Sequence, residues 1–272
     1  MLKQPIIAFI GAGNMAQAIL KGLLAQNYPA DHIWATARSN DRLQQLATTT
    51  GVHTTHDNQA ACRAADVIVL GVKPQMMVNV TRSLAPAIDR QLVISIAAGI
   101  LLDSLEDWLS KDTALVRCMP NTPSLVGVGA AGLFANRSVN SDQKACAEYI
   151  LTTVGMALWV TQENQLDMVT AVSGSGPAYY FLLMEAMIDA AQEMGLDLNT
   201  ARQLVLQTAL GAATMSHQSQ SDPAQLRQAV TSPKGVTEQA LRVFEQGRFK
   251  SLCQQAMFTA QERSRELAEL YR

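Results

Sequence analysis

The chain has 272 residues, 48% of them hydrophobic and 16% charged, with a formal charge of −2 at pH 7. That composition excludes a disordered protein and is enough for one large core or two smaller ones. So small a charge excludes a general attraction to nucleic acid or to anionic membranes, and any anion site must be local.

The opening MLKQPIIAFIGAG carries one lysine and an apolar run too short for the core of a signal peptide. No stretch approaches the roughly 18–20 apolar residues that span a bilayer. Cys62, Cys118, Cys146 and Cys253 are scattered without a CxxC pair and read as reduced, mostly buried small hydrophobes. The sequon at Asn136-Arg137-Ser138 is read as chance, since no export signal accompanies it. The expectation is a cytoplasmic protein.

In chain order, IIAFI (6–10), HIWAT (32–36), DVIVLGV (66–72), LVISIAA (92–98) and ALVRCM (114–119) are predicted as buried strands. Helical spacing lies between them, as over 15–25 and 101–109. Apolar strands alternating with helices predict an α/β domain whose mostly parallel sheet is covered on both faces. GVGAAGLFA (127–135) and MALWV (156–160) are predicted to add edge strands, and His53 and His56 to lie in a loop. After residue 161 the strand signals stop. Helices follow, punctuated by Gly176-Pro177, Gly195, Asp222-Pro223 and Ser232-Pro233-Lys234-Gly235. The expected domains are therefore 1–161, dinucleotide-binding, and 162–272, all-α. The helix predicted over 177–194 has only a narrow polar stripe, Glu185, Asp189, Gln192 and Glu193. A helix so apolar must be covered on several sides, which predicts a helical dimer interface. Met184, Met187 and Met194 read as packing residues.

Gly11-Ala12-Gly13-Asn14-Met15-Ala16 follows the first strand and opens a helix. In that context the string is a dinucleotide fingerprint. Gly11 permits the tight turn, Gly13 lets the backbone approach a pyrophosphate, and Ala16 lets the helix pack close to the strand. The pyrophosphate is expected on the N–H groups of the helix start, at Asn14 and Met15. A carboxylate at the end of the second strand would favour NAD, but Asp31 precedes that strand. The strand's exit instead reads Ala37-Arg38-Ser39-Asn40, with Arg42 close behind. Two guanidiniums and a hydroxyl suit a 2′-phosphate, so NADPH is the predicted cofactor; a plain solvated basic loop is the alternative.

Further motifs follow in order: Val72-Lys73-Pro74-Gln75, Ile96-Ala97-Ala98-Gly99, Arg117-Cys118-Met119-Pro120-Asn121-Thr122-Pro123, Ser173-Gly174-Ser175-Gly176-Pro177-Ala178-Tyr179 and Thr231-Ser232-Pro233-Lys234-Gly235-Val236-Thr237. This ordered set, with the length, resembles the pyrroline-5-carboxylate reductase family from end to end. The resemblance implies a Rossmann domain followed by a helical domain that interlocks with a second subunit, in a dimer or a larger ring of up to five dimers. It also implies reduction of the cyclic imine 1-pyrroline-5-carboxylate to L-proline by NADPH or NADH. By resemblance, Asn58 approaches the adenosine side of the cofactor. Val72, Lys73, Pro74, Ala97, Ala98, Gly99 and Asn121 are expected along the cofactor, with Asn121 and Thr122 at the nicotinamide end.

The substrate's chemistry asks for a carboxylate cradle and a hydrogen-bond partner for the ring nitrogen. Ser232, Lys234, Gly235, Val236 and Thr237 supply a loop running into a helix, whose N–H groups suit a carboxylate. The Thr237 hydroxyl is the expected partner of the nitrogen, with a helix-capping role as the alternative. Lys73, the second candidate catalytic residue, follows a parallel strand where such folds bind ligands. It holds the nicotinamide ribose, attracts the substrate carboxylate, or is a surface lysine. Ser175 belongs either to the catalytic wall or to a tight cap. The four histidines show no metal-binding spacing, and no metal is expected. Two other readings remain: a β-hydroxyacid dehydrogenase or related imine reductase, and a non-enzymatic NADP-sensing protein. The first relies on a lysine in the helical domain, and before the last helix only Lys234, inside the cradle loop, is available.

Overall fold

A computed structural model of the chain describes residues 4–271. The chain packs as two units, Met1–Ser175 with Ala260–Arg272, and Gly176–Thr259. The predicted boundary at 161 marks the change from strands to helices. The packing division comes later, and the end of the last helix belongs with the first unit.

The first unit runs β1 (Ile7–Ile10), α1 (Asn14–Ala25), β2 (Ile33–Thr36), α2 (Asn40–Thr50), β3 (His53–Thr55), α3 (Asn58–Ala64), β4 (Val67–Leu70), α4 (Pro74–Leu84), β5 (Leu92–Ser95), α5 (Leu102–Trp108), β6 (Ala114–Met119), β7 (Gly129–Ala135), α6 (Ser141–Thr152), β8 (Gly155–Trp159) and α7 (Gln165–Val169). The strands form one sheet in the order β3-β2-β1-β4-β5-β6-β7-β8. Every neighbouring pair is parallel except β6 and β7. Both faces of the central strands are apolar, as a parallel sheet requires. Ile7, Phe9, Val67, Val69, Ile94 and Val116 pack on one face with Ile19, Leu20 and Leu23 of α1 and Ile150 of α6. Ala8, Ile10, Ile68, Leu70, Val93 and Leu115 pack on the other with Met77 of α4 and Leu105 and Trp108 of α5.

Two strands depart from expectation. The segment predicted as an edge strand over 127–135 is internal: β7 lies between β6 and β8, and β8 forms the edge. The link from β6 to β7 contains only a short 3₁₀ turn, Thr122–Val126, which allows an antiparallel return; α6 then carries the chain over to a parallel β8. β3 is the second departure, because His53 opens a strand rather than sitting in a loop. Its three residues are exposed or half-buried and, among the described residues, pair only with β2, so they carry no apolar run to read.

Local chemistry fixes the helix starts. Ser39 and Asp57 cap α2 and α3 through side-chain oxygens, Pro74 opens α4, and Asn140 with Gln143 forms a capping box on α6. The Asn136 amide of the sequon donates to Glu106 and to the Thr113 carbonyl. Its oxygen accepts from the N–H of Leu115.

The second unit contains α8 (Gly176–Glu193), α9 (Leu198–Gln218), α10 (Pro223–Ala229), α11 (Val236–Gln246) and the first half of α12 (Phe249–Leu270). On α8 only Gly176 and Ala191 are buried, while Tyr180, Phe181 and Leu182 are 67%, 63% and 66% exposed. A single chain leaves this apolar helix uncovered. Among the described residues, no helix is long and apolar enough to cross a membrane. All four cysteines are free; Cys62 and Cys118 are buried and Cys146 is half-buried. Cys253 is exposed, on the first half of α12, where most residues are exposed.

Candidate functional site

Parallel strands bring their carboxyl ends to one edge of the sheet, and the order reverses between β1 and β4. That is the switch point where open α/β sheets bind ligands. The segments that follow β1, β2, β3, β4, β5 and β6 carry Gly11–Gly13, Ala37–Asn40, His56–Asn58, Gly71–Lys73, Ile96–Gly99 and Pro120–Asn121 respectively. The fold therefore brings to one edge segments that lie up to 110 residues apart in sequence.

The first loop has the geometry its glycines imply. Gly11 has φ +92°, and a Cβ there would stand 2.7 Å from Val72 Cγ1 and 3.1 Å from the Val72 nitrogen. The turn is tied to β2, because the Gly11 N–H donates to Thr36 Oγ1 at 3.1 Å and the Ala12 N–H to the Thr36 carbonyl at 2.7 Å. Gln17 Nε2 closes back onto the Ala12 carbonyl at 3.0 Å. Gly13 is the N-cap of α1 and has no side chain to occupy the helix start. The N–H groups of Asn14 and Met15, in the first turn, point outward as an anion-binding end. These features fit a dinucleotide pyrophosphate.

Gly71 is a member of this turn that sequence reasoning did not single out. A Cβ on it would meet the Gly11 carbonyl at 2.8 Å and Ala16 Cβ at 3.1 Å. The available signal was a glycine ending an otherwise β-branched strand, which marks a close backbone approach. Val72 packs against Gly11, Lys73 is the N-cap of α4, and Pro74 is its first residue. Lys73 is exposed and, among the described residues, makes no ion pair.

Arg38 and Ser39 are exposed in the β2–α2 loop, and the Ser39 hydroxyl caps α2 by accepting from the Arg42 N–H. Asn58 opens α3 behind the Asp57 cap. Ala97 is buried and Ala98 exposed. Gly99, at φ +75°, lies beneath the end of α12, where a Cβ would stand 3.3 Å from Tyr271 and 3.5 Å from Leu267. Asn121 is anchored within the protein: its amide donates to the Ser173 carbonyl at 3.0 Å and accepts from the Ala130 N–H at 2.8 Å. It shapes the loop beyond β6 through backbone contacts. Ser175 ends a one-turn π-helix, Thr170–Gly174, and its N–H donates to the Thr170 carbonyl at 2.7 Å.

The second unit carries the candidate carboxylate cradle. The Gly235 N–H donates to the Ser232 carbonyl at 3.0 Å, closing a turn with Pro233 and then Lys234 at φ +59°. Proline followed by a positive φ is the pattern of a type II turn. The Lys234 N–H donates to Glu238 Oε2 at 3.0 Å. Gly235 is the N-cap of α11, so Val236 is its first residue and Thr237 its second. Thr237 is thus not the cap, and its hydroxyl makes no hydrogen bond among the described residues.

Chemically, the first unit presents a glycine turn pressed against a second glycine, a helix start and an arginine-bearing rim, the parts of a nicotinamide-dinucleotide oxidoreductase. Residues 6–99 match the family model described as "NADP oxidoreductase coenzyme F420-dependent", and residues 163–267 match "Pyrroline-5-carboxylate reductase dimerisation". A pyrroline-5-carboxylate reductase of Pseudomonas aeruginosa is 50% identical over 98% of both chains. The solved structure of one from Coxiella burnetii has a TM-score of 0.95 at 46% identity, covering 98% of this chain and 99% of that one. A Plasmodium falciparum pyrroline carboxylate reductase, solved with NADP bound, has a TM-score of 0.88 at 30% identity, covering 98% of this chain and 100% of that one. The chain belongs to the pyrroline-5-carboxylate reductase family.

Proposed function

We propose that this protein reduces 1-pyrroline-5-carboxylate to L-proline with NADPH, the last step of proline biosynthesis, as a cytoplasmic homo-oligomer. The observation that carries the reading is 50% identity over 98% of both chains to a relative named for this reaction. When bound, the reduced nicotinamide supplies a hydride. The chain's own groups bind and orient the substrate around it; the ring nitrogen enters already protonated, so hydride addition to the carbon completes the amine. Residues 1–161 hold the cofactor: Gly11, Gly13, Asn14 and Met15 at the pyrophosphate, Arg38 and Ser39 at the 2′-phosphate, and Asn58 on the adenosine side. Val72, Lys73, Pro74, Ala97, Ala98 and Gly99 line the remainder, with Asn121 shaping the nicotinamide end.

Residues 162–272 form the dimerisation and substrate domain. The Ser232–Thr237 backbone receives the substrate carboxylate, and Ser175 contributes to the wall. The Thr237 hydroxyl hydrogen-bonds the ring nitrogen, which becomes a basic amine as hydride reaches the neighbouring carbon. That bond strengthens toward the transition state, so it acts on turnover. Lys73 adds positive charge that attracts the carboxylate or holds the nicotinamide ribose. The oligomer is a dimer or a ring of up to five dimers, and NADH serves as a weaker donor.

The test is loss of NADPH or NADH absorbance when pyrroline-5-carboxylate is added to the purified protein. Oxidation faster with NADPH is the expected result. No oxidation of either cofactor would leave the NADP-sensing alternative, and turnover of β-hydroxyacids instead of the imine would favour the dehydrogenase.

A further inference from the structure

The carboxyl edge of the sheet also carries a histidine that takes no part in the proposed reaction. His56 follows β3 and bridges the β2–α2 loop from the side. Its Nδ1 lies 2.7 Å from the Ala37 carbonyl and its Nε2 lies 2.6 Å from Asn40 Oδ1. The bridge therefore spans Arg38 and Ser39, both exposed between its two anchor points. A carbonyl only accepts, so Nδ1 must carry a proton. Nε2 then faces an oxygen, which calls for a second proton and a charged ring; a neutral ring requires the Asn40 amide to turn over and donate instead.

We infer that His56 is a positioning residue for cofactor discrimination: it holds the Ala37–Asn40 loop in the form that takes a 2′-phosphate, and its protonation strengthens that hold. This rests on the reading that Arg38 and Ser39 contact the phosphate. Charge supports it. The segments at this rim carry Arg38 and Arg42 against Asp41 and Asp57, so their formal charges cancel. Asp57 is also occupied as the α3 cap, accepting from the Ala60 N–H at 3.0 Å. An imidazolium at position 56 makes the rim positive. It also turns both loop contacts into charge-assisted hydrogen bonds, which are shorter and stronger than neutral ones. Phosphate binding and ring protonation then favour each other reciprocally.

The experiment is calorimetric titration of the full chain with NADP+ and with NAD+ across the range in which histidine titrates. The proteins are the wild type, His56→Gln, His56→Asn and Arg38→Ala, and titrations in buffers of different ionisation enthalpy report proton uptake. The 2′-phosphate titrates in the same range, so the proton exchange is read against the His56 variants: the wild type is expected to take up a fraction of a proton more than they do with NADP+, and no more with NAD+. His56→Gln and His56→Asn should lose that uptake and bind NADP+ about tenfold more weakly at the acid end, with the deficit shrinking as pH rises. NAD+ binding should be unchanged. Equal losses for both cofactors, or a deficit independent of pH, would overturn the inference. So would wild-type proton uptake in both variants. If Arg38→Ala abolishes the NADP+ preference while the His56 variants keep it, only this inference fails. If Arg38→Ala leaves the preference intact, the phosphate reading fails, and this inference fails with it.

Discussion

Thr237 sits one residue inside α11, and its hydroxyl, without a hydrogen bond among the described residues, separates two roles that are easily confused. Gly235 caps the helix, so Thr237→Ala removes no cap bond and should shift the melting temperature little. Turnover should fall by about one to two factors of ten, each worth roughly 1.4 kcal/mol, with NADPH affinity intact. Thr237→Ser should retain most of the rate. Steady-state kinetics read alongside a thermal melt checks this: a lower melting point with unchanged turnover would make Thr237 structural. Arg38 tests the other end of the cofactor. Arg38→Ala should weaken NADPH by about 1.5–3 kcal/mol, as the loss of a charged hydrogen bond does, and leave NADH nearly unchanged. Titrating both cofactors by fluorescence measures the difference.

At the scale of elements, the end of α12 is bound to the sheet by a buried ionic cluster. Arg117 on β6 is 4% exposed. It contacts Glu163 at 3.0 Å and, at 4.0 Å, Asp167 on α7. Ser264 on α12 donates to Asp167 Oδ1 at 2.7 Å, and Glu163 also accepts from the Leu102 N–H at 2.9 Å. Removing Arg117 leaves the buried Asp167 and the half-buried Glu163 without their cation, each keeping one hydrogen bond from a neutral donor. Arg117→Met should therefore cost about 3–5 kcal/mol, whereas Ser264→Ala should cost about 1 kcal/mol, the worth of an ordinary hydrogen bond. Urea unfolding at fixed protein concentration compares them, and similar losses from both would show that the cluster is not cooperative.

For the whole molecule, the uncovered apolar face of the second unit predicts association. Leu182→Asp on α8, at a position 66% exposed in the single chain, should yield smaller species in analytical ultracentrifugation. An unchanged sedimentation profile would place the interface elsewhere. Alkaline pH should destabilise the fold through the first unit's thiols. Burial pushes Cys62 up to about 12 and Cys146 up to about 11, from an ordinary 9.0. The folded state keeps these thiols neutral, so their contribution is complete below pH 9.0 and is lost as pH rises through the folded values. A Cys62→Ala variant should flatten the fall in melting temperature over that window.

Sequence by itself determined the strands that carry long apolar runs, the glycine turn after β1, and the helical character beyond residue 161. It did so because their signals are local: periodicity, a turn that needs a positive φ, and proline and glycine breaks. The order of the motifs likewise made the family legible. Only the tertiary structure decided what depends on neighbours far along the chain. The polar strand β3 exists by pairing with β2, and β7 is internal because its partners lie on both sides. Gly71 matters because the Gly11 turn presses against it, and Gly99 because Leu267 and Tyr271 return to cover it. Asn121 reads in sequence as a ligand contact, and the fold adds that its amide also ties Ser173 to Ala130. His56 reads as a loop histidine until the fold brings Ala37 and Asn40 to its two nitrogens. A side chain's chemistry is written in the sequence, but the atoms that satisfy its hydrogen bonds are supplied by the fold.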